Sequence, residues 1–152
     1  MANKLKFAQT TPHTDLMQEL AELNLTSQVR LCSSHEEDGL VAEFSRKFPS
    51  TFPHEGSAVY VPAGPRGQWD DYIMRAKKLL KDAVEISGRS CNEEIAVLWD
   101  QNGYPALSVP ASLLIAHLDL FVSMPPHMYV IPFDVTWCVC YRMEGDMGYG
   151  TE

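Results

Sequence analysis

The sequence has no long apolar run and few cysteines. No window reaches about 18 consecutive apolar residues, the length that a membrane-spanning helix requires, and residues 1–15 hold no signal-peptide core. Its four cysteines, Cys32, Cys91, Cys138 and Cys140, are too few and too unevenly spaced for a secreted disulfide framework in 152 residues. These absences predict a cytoplasmic protein with reduced thiols and no membrane contact.

Positive charge is also scarce. Twelve Lys and Arg stand against 20 Asp and Glu, which gives a formal net charge of −8. Such a surface repels a phosphate backbone, so we do not expect nucleic acid as a direct ligand. The same field would attract a basic protein partner, although acidity of this size also keeps many proteins soluble.

No recognisable catalytic, cofactor-binding or metal-binding motif occurs. Cys138 and Cys140 are separated by one residue, whereas a zinc knuckle needs two or more, so a role as small buried apolar residues is favoured. Residues 64–67 precede a helix but lack the Lys-Ser/Thr of a phosphate-binding loop, which favours a connecting turn. We therefore predict no catalytic residue, no metal and no cofactor.

Apolar residues recur at helical spacing in four segments. The strongest pattern covers residues 68–87, with Trp69 predicted on its apolar face and Gly88 as its end. A second helix is expected from a capping box of Ser34 and Glu37 as far as Pro49, with Val41 in its apolar stripe. The other two are expected over residues 11–24 and from about 110 to 124.

Alternating or β-branched patterns predict the strands. They cover residues 27–32, 57–61, 94–101, a return strand through Leu107, 127–131 and 135–143. Asn102-Gly103 is typical of a hairpin turn, and Pro105 predicts that the return strand is very short or lies at a sheet edge. In the last strand, the alternate residues from Val135 to Met143 are expected on one apolar face.

These elements show no regular alternation of strand and helix, which favours the α+β class over a doubly wound parallel sheet. We predict two layers, in which about four helices pack on a mostly antiparallel sheet of about four to six strands. A single domain is expected over residues 1–152, with about ten flexible residues at the start.

Acidic residues occur mainly at the ends of the predicted elements, where solvated charges and favourable contacts with helix dipoles are common. If folding gathers several of them, the resulting negative surface could occupy the basic cleft of a nuclease. The candidate partner-binding residues are Glu36, Glu37, Asp38, Asp70, Asp71, Glu144 and Asp146.

Residues 129–148 resemble the closing hairpin of several bacterial toxin-immunity families, which share an aromatic strand, a turn with Asp, a strand with Trp and an acidic pair before Gly. Proteins of these families are small, acidic and non-enzymatic, and each binds and blocks one cognate toxin. The resemblance implies that Glu144 and Asp146 are exposed contact residues and that Trp137 and Tyr141 belong to the core.

The leading hypothesis is therefore an immunity or antitoxin-like protein that binds a basic protein toxin through an acidic surface. One alternative is a small hydrolase or metal-assisted enzyme that uses His35, Glu36 and Asp38, or His54 and Glu55. Another is an adaptor or structural subunit whose C-terminal hairpin pairs with another chain along its edge. The sequence leaves the oligomeric state open.

Overall fold

The computed structural model describes residues 12–49, 52–54, 57–64, 68–100, 104–123 and 127–151, and the side chains from residue 15 onwards. Expectations for the first ten residues, for Glu55, for the Asn102-Gly103 turn and for residues 65–67 lie outside the described residues.

One antiparallel sheet organises the molecule. Its strands are β1 (Arg30–Leu31), β2 (Val59–Val61), β3 (Glu94–Trp99), β4 (Leu107–Pro110), β5 (Met128–Ile131), β6 (Trp137–Tyr141) and β7 (Met147–Thr151). Their order across the sheet is β1-β4-β3-β5-β6-β7-β2, so β1 and β2 form its opposite edges. The α+β class is confirmed, while the expected four to six strands become seven over the described residues.

Five α-helices and one short 3-10 helix are present in the described ranges. Helices α1, α3, α4 and α5 contribute to the hydrophobic core on one face of the sheet, and α2 covers the opposite face. The helices are α1 (Pro12–Glu22), α2 (Ser34–Lys47), α3 (Trp69–Ile86), α4 (Ala111–Ala116) and α5 (Leu118–Val122), and the 3-10 helix is Thr26–Gln28.

Both faces of the sheet are buried because its central strands are apolar on both sides. In β6, Trp137, Val139 and Tyr141 pack against the four-helix layer, whereas Cys138 and Cys140 pack beneath α2. The arrangement therefore has three layers rather than the expected two. Trp137 and Tyr141 are 1% and 2% exposed, in agreement with the expectation that they belong to the core.

The N-cap of helix α2 lies one residue earlier than predicted. Ser33, which has an extended backbone, is the N-cap: its Oγ accepts a hydrogen bond from Glu36 N at 3.1 Å, and its own N–H donates to Glu36 Oε1 at 2.9 Å. The capping box thus consists of Ser33 and Glu36 rather than Ser34 and Glu37. This shift leaves the Glu37 carboxylate available for a more distant contact.

The C-terminal segment departs most from its predicted pattern. Val135 has φ +52 and belongs to the core beneath α2, so it does not share the face of Trp137. Met143 is 68% exposed because the strand ends at Tyr141 and a turn follows. Strand β7 then returns beside β6 and was not anticipated, since its glycines lower β propensity.

The glycines of β7 make room for a crossing loop. A Cβ on Gly150 would lie 2.7 Å from Cε1 of Phe52, and a Cβ on Gly148 would overlap Pro53. Larger residues would therefore push this loop away from the sheet. Its close packing helps to seal the core that contains Cys138 and Cys140.

The return strand was expected to be very short or to lie at a sheet edge. Strand β4 is short, but it lies inside the sheet between β1 and β3. Pro105 precedes the strand and so removes no hydrogen bond from the ladder. The helix predicted from residue 110 is divided at His117, whose backbone leaves the helical region and separates α4 from α5.

Candidate partner-binding site

The first acidic group lies where α2 begins, next to β1 and β4. Arg30 of β1 donates two hydrogen bonds to Glu36, from Nη1 to Oε1 at 2.8 Å and from Nη2 to Oε2 at 3.1 Å. Together with the hydrogen bond from Ser33 N, this guanidinium lowers the pKa of the Glu36 carboxyl to about 2. Glu36 is therefore committed to an internal ion pair and cap.

Glu37 is also used within the fold. Its Oε1 accepts a hydrogen bond of 2.6 Å from the backbone N–H of Ala106, just before β4. Ala106 is fully buried, so Glu37 satisfies a donor that would otherwise be isolated from water. Asp38 differs: it is exposed, and its side chain makes no hydrogen bond or ion pair in the described part of the chain.

The second acidic group lies where α3 begins. Asp70 is exposed, and its carboxylate has no hydrogen-bonding or ion-pair partner within the described ranges. Asp71 accepts a hydrogen bond of 3.1 Å from Arg75 Nε, one helical turn along. The Arg75 guanidinium lies against Gly64, where a Cβ would be only 2.7 Å from Nη2.

The turn between β6 and β7 is adjacent to the same loop. A Cβ on Gly145 would lie 3.4 Å from the Cβ of Ala63, one residue before the Gly64 that Arg75 contacts. Residues 63 and 64 therefore connect the start of α3 to the turn that carries Glu144 and Asp146. Folding brings these four predicted acids, Asp70, Asp71, Glu144 and Asp146, to one end of the molecule.

Within the turn, Glu144 and Asp146 have different environments. Glu144 is 61% exposed, and its Oε1 makes a long ion-pair contact of 3.8 Å with Arg142 Nε and lies 3.8 Å from His127 Nδ1. Asp146 is only 7% exposed, so the expectation that it is an exposed contact residue is wrong. Its Oδ2 accepts a 2.9 Å hydrogen bond from Tyr60, and its Oδ1 lies 3.4 Å from Arg142 Nε.

Asp146 therefore has a structural role: it joins the edge strand β2 to the turn. His127 supports the turn from the other side, because its Nδ1 accepts a 3.0 Å hydrogen bond from Met143 N. These contacts fix the backbone that presents Glu144.

The two acidic groups do not form one surface. Glu36 and Glu37 contact β1 and the start of β4, whereas Asp146 contacts β2 at the opposite edge. β1 and β7 are five strand spacings apart, which corresponds to roughly 24 Å. A partner of ordinary size could engage one group closely, but a compact cleft would not hold both.

Apolar residues are also exposed at the end of the molecule that carries Asp70, Asp71 and Glu144. Trp69 is 48% exposed and Met143 is 68% exposed, although both were expected on apolar faces. Trp69 begins α3, whereas complete burial along this helix starts only at Ala76. Helical spacing alone gives no sign of this difference. We define the α3-turn surface as Trp69, Asp70, Asp71, Met143 and Glu144.

The residues of the alternative hypotheses can also be located. His35 and Asp38 are exposed on α2 and His54 is exposed, and no group of three or more His, Cys, Asp or Glu in the described residues is arranged to hold a metal ion. Cys138 and Cys140 are buried free thiols, and burial raises the pKa of both. They remain protonated and pack as small apolar residues.

The C-terminal hairpin has no unpaired edge. β5 pairs with β3 on one side and with β6 on the other, and β6 also pairs with β7. The adaptor hypothesis required this edge to pair with another chain, so that mode of assembly is not available to the hairpin.

None of the described helices combines the length and the apolar character needed to cross a membrane. Comparisons with models of protein families, with curated proteins and with solved structures find no match to this chain.

Proposed function

We propose that this protein is a non-enzymatic binding protein of the toxin-immunity type, which neutralises a basic protein toxin, such as a nuclease, through the α3-turn surface. The observation that carries the proposal is that two exposed carboxylates lack close partners in the fold. Asp70 has no partner in the described residues and Glu144 has only distant ones, and both lie at the end of the molecule where Trp69 is exposed.

Charge and sequence resemblance support the same proposal. The net charge of −8 would speed association with a basic partner, and exposed carboxylates can take the positions that phosphates occupy in a nuclease cleft. Exposed aromatic residues are common anchors of protein interfaces. The closing segment resembles that of toxin-immunity proteins, and Glu144 lies in the part of it that the resemblance assigns to partner contact.

The hydrolase alternative is the weaker one. Glu36 belongs to the first of its two residue sets, and the hydrogen bonds from Arg30 and Ser33 lower the pKa of this carboxyl to about 2. A group that binds protons so weakly is a poor general base at neutral pH. His35 is exposed and makes no hydrogen bond or ion pair with a described residue.

The test combines the purified protein with the toxin domain encoded beside its gene. We expect the mixture to lose toxin activity and to elute as a complex in size-exclusion chromatography. The double variant D70N/E144Q should bind at least tenfold more weakly, because two carboxylates that face the partner are neutralised.

The matched control is the double variant D38N/E85Q, which changes the net charge equally but lies outside the α3-turn surface. Its affinity should remain within about threefold of the wild type. Equal weakening of both variants would show that only the overall charge matters. Unchanged toxin activity and elution with the wild-type protein would overturn the proposed function.

A further inference from the structure

Trp69 differs from the other two tryptophans in exposure and in support. Trp99 and Trp137 are 6% and 1% exposed, whereas Trp69 is 48% exposed. Its ring stacks on that of Tyr72, with centroids 5.6 Å apart and planes inclined by 19°. Because Tyr72 is itself partly buried, the indole is held against a fixed ring and keeps an open side.

Two acids follow this indole directly in the sequence. Asp70 follows Trp69 directly in the first turn of α3, and its carboxylate is exposed and has no partner among the described residues. Arg75 is the basic residue nearest along this helix, and Asp71 already pairs with it. An exposed aromatic ring and an exposed carboxylate without a described partner therefore occupy successive positions in the first turn of α3.

The chemistry of this pair selects its ligand. A purely apolar anchor on Trp69 would remove water from the Asp70 carboxylate without replacing its hydrogen bonds, which is unfavourable. A second copy of this chain would bring another net charge of −8 to the same place. A guanidinium group satisfies both residues, because its plane stacks on an indole and its N–H groups pair with a carboxylate.

We propose that Trp69 and Asp70 form an arginine-binding site, in which a surface arginine of the basic partner stacks on the indole of Trp69 and pairs with the carboxylate of Asp70. The inference rests on the proposed function for the identity of the partner. It adds the type of side chain that is recognised, and it assigns specificity for arginine over lysine to the planar stack.

The site can be tested without the toxin, by titrating the protein with acetylated, amidated hexa-arginine and hexa-lysine peptides. Since Trp99 and Trp137 are buried, a change in tryptophan fluorescence will report mainly on Trp69. We expect the arginine peptide to bind roughly threefold or more tightly than the lysine peptide. Equal affinities would overturn the inference.

Variants then locate the binding. Calorimetric titration of W69A and D70N with the arginine peptide should show affinities about three- to tenfold weaker than that of the wild type, and W69F should be intermediate. The matched controls on the same helix are M74A and E85Q, which should bind like the wild type. A loss with M74A or E85Q equal to that with W69A or D70N would contradict the site.

The two proposals fail in different ways. If the wild type neutralises the toxin and W69A does so as well as M74A, the arginine site is wrong as the toxin anchor and the proposed function stands. If the toxin is not bound but the arginine peptide binds at Trp69, the proposed function is wrong and the arginine-binding site stands.

Discussion

Helices α2 and α3 both begin with adjacent acids, and the two pairs differ in what they contact. Glu36 and Glu37 bind Arg30, Ser33 and a buried backbone amide, so both carboxylates have structural roles within the fold. In α3, Asp71 binds only a residue of its own helix and Asp70 remains exposed without a partner in the described ranges. Tertiary contacts therefore decide whether an acid in the first turn of a helix has a structural role or is available to a partner.

The turn between β6 and β7 shows the same contrast, between the buried Asp146 and the exposed Glu144. Asp146 gives the largest expected effect on stability. Replacing Asp146 with Ala would remove the acceptor of the Tyr60 hydroxyl hydrogen bond and the nearer of the two carboxylates beside the partly buried Arg142. We expect a loss of about 2–3 kcal/mol in the free energy of unfolding. Urea denaturation of the purified variant measures it.

E144A is the control, because it removes an exposed acid from the same turn. Its free energy of unfolding should stay within about 0.5 kcal/mol of the wild type. If D146A and E144A proved equally stable, Asp146 would not join β2 to the turn as described.

A smaller effect is expected at the other end of the sheet. E37A removes the acceptor of the Ala106 N–H, which is buried, and should cost about 1–2 kcal/mol. E37Q keeps an oxygen acceptor and should recover part of this loss, and hydrogen exchange at the Ala106 amide should slow again with it.

The neighbouring variant D38A provides the comparison for E37A, since Asp38 is exposed and makes no such contact. We expect its stability to change by less than about 0.5 kcal/mol. Equal losses in E37A and D38A would contradict the structural role of Glu37.

Local sequence patterns were sufficient for elements whose form depends on their own residues. Helix α3 was predicted almost to its ends because its apolar spacing and Gly88 act locally. Strand β7 was missed because Gly148 and Gly150 reflect the loop that crosses them, not a strand preference. The two-layer prediction is wrong because α2 covers the face of the sheet that carries Cys138 and Cys140, and local spacing does not show on which face a helix packs.

The candidate site was predictable as a list of acids but not as a surface. Glu37 finds its partner 69 residues away, at Ala106, and no spacing rule reports such a contact. Asp146 looked as exposed as Glu144 because its contact with Tyr60 is equally remote in sequence. Which acids remain available depends on these long-range contacts, and only the folded chain separates them.

The smallest expected effect distinguishes Glu36 by its dependence on pH. Because its pKa in the folded protein is about 2, below the ordinary 4.5, Glu36 stabilises the fold fully above about pH 4.5, and this contribution is lost as the pH falls toward 2. E36Q retains the cap acceptor but lacks the charge, so its urea midpoint should lie below that of the wild type at pH 6 and approach it at pH 2. E19Q removes one negative charge from an exposed side chain of α1 and is the control for the change in net charge. If the difference between E36Q and wild type stayed constant down to pH 2, Arg30 would not pair with Glu36 in the folded protein. The start of α2 would then not differ from the start of α3 in the way that the Arg30–Glu36 pair indicates.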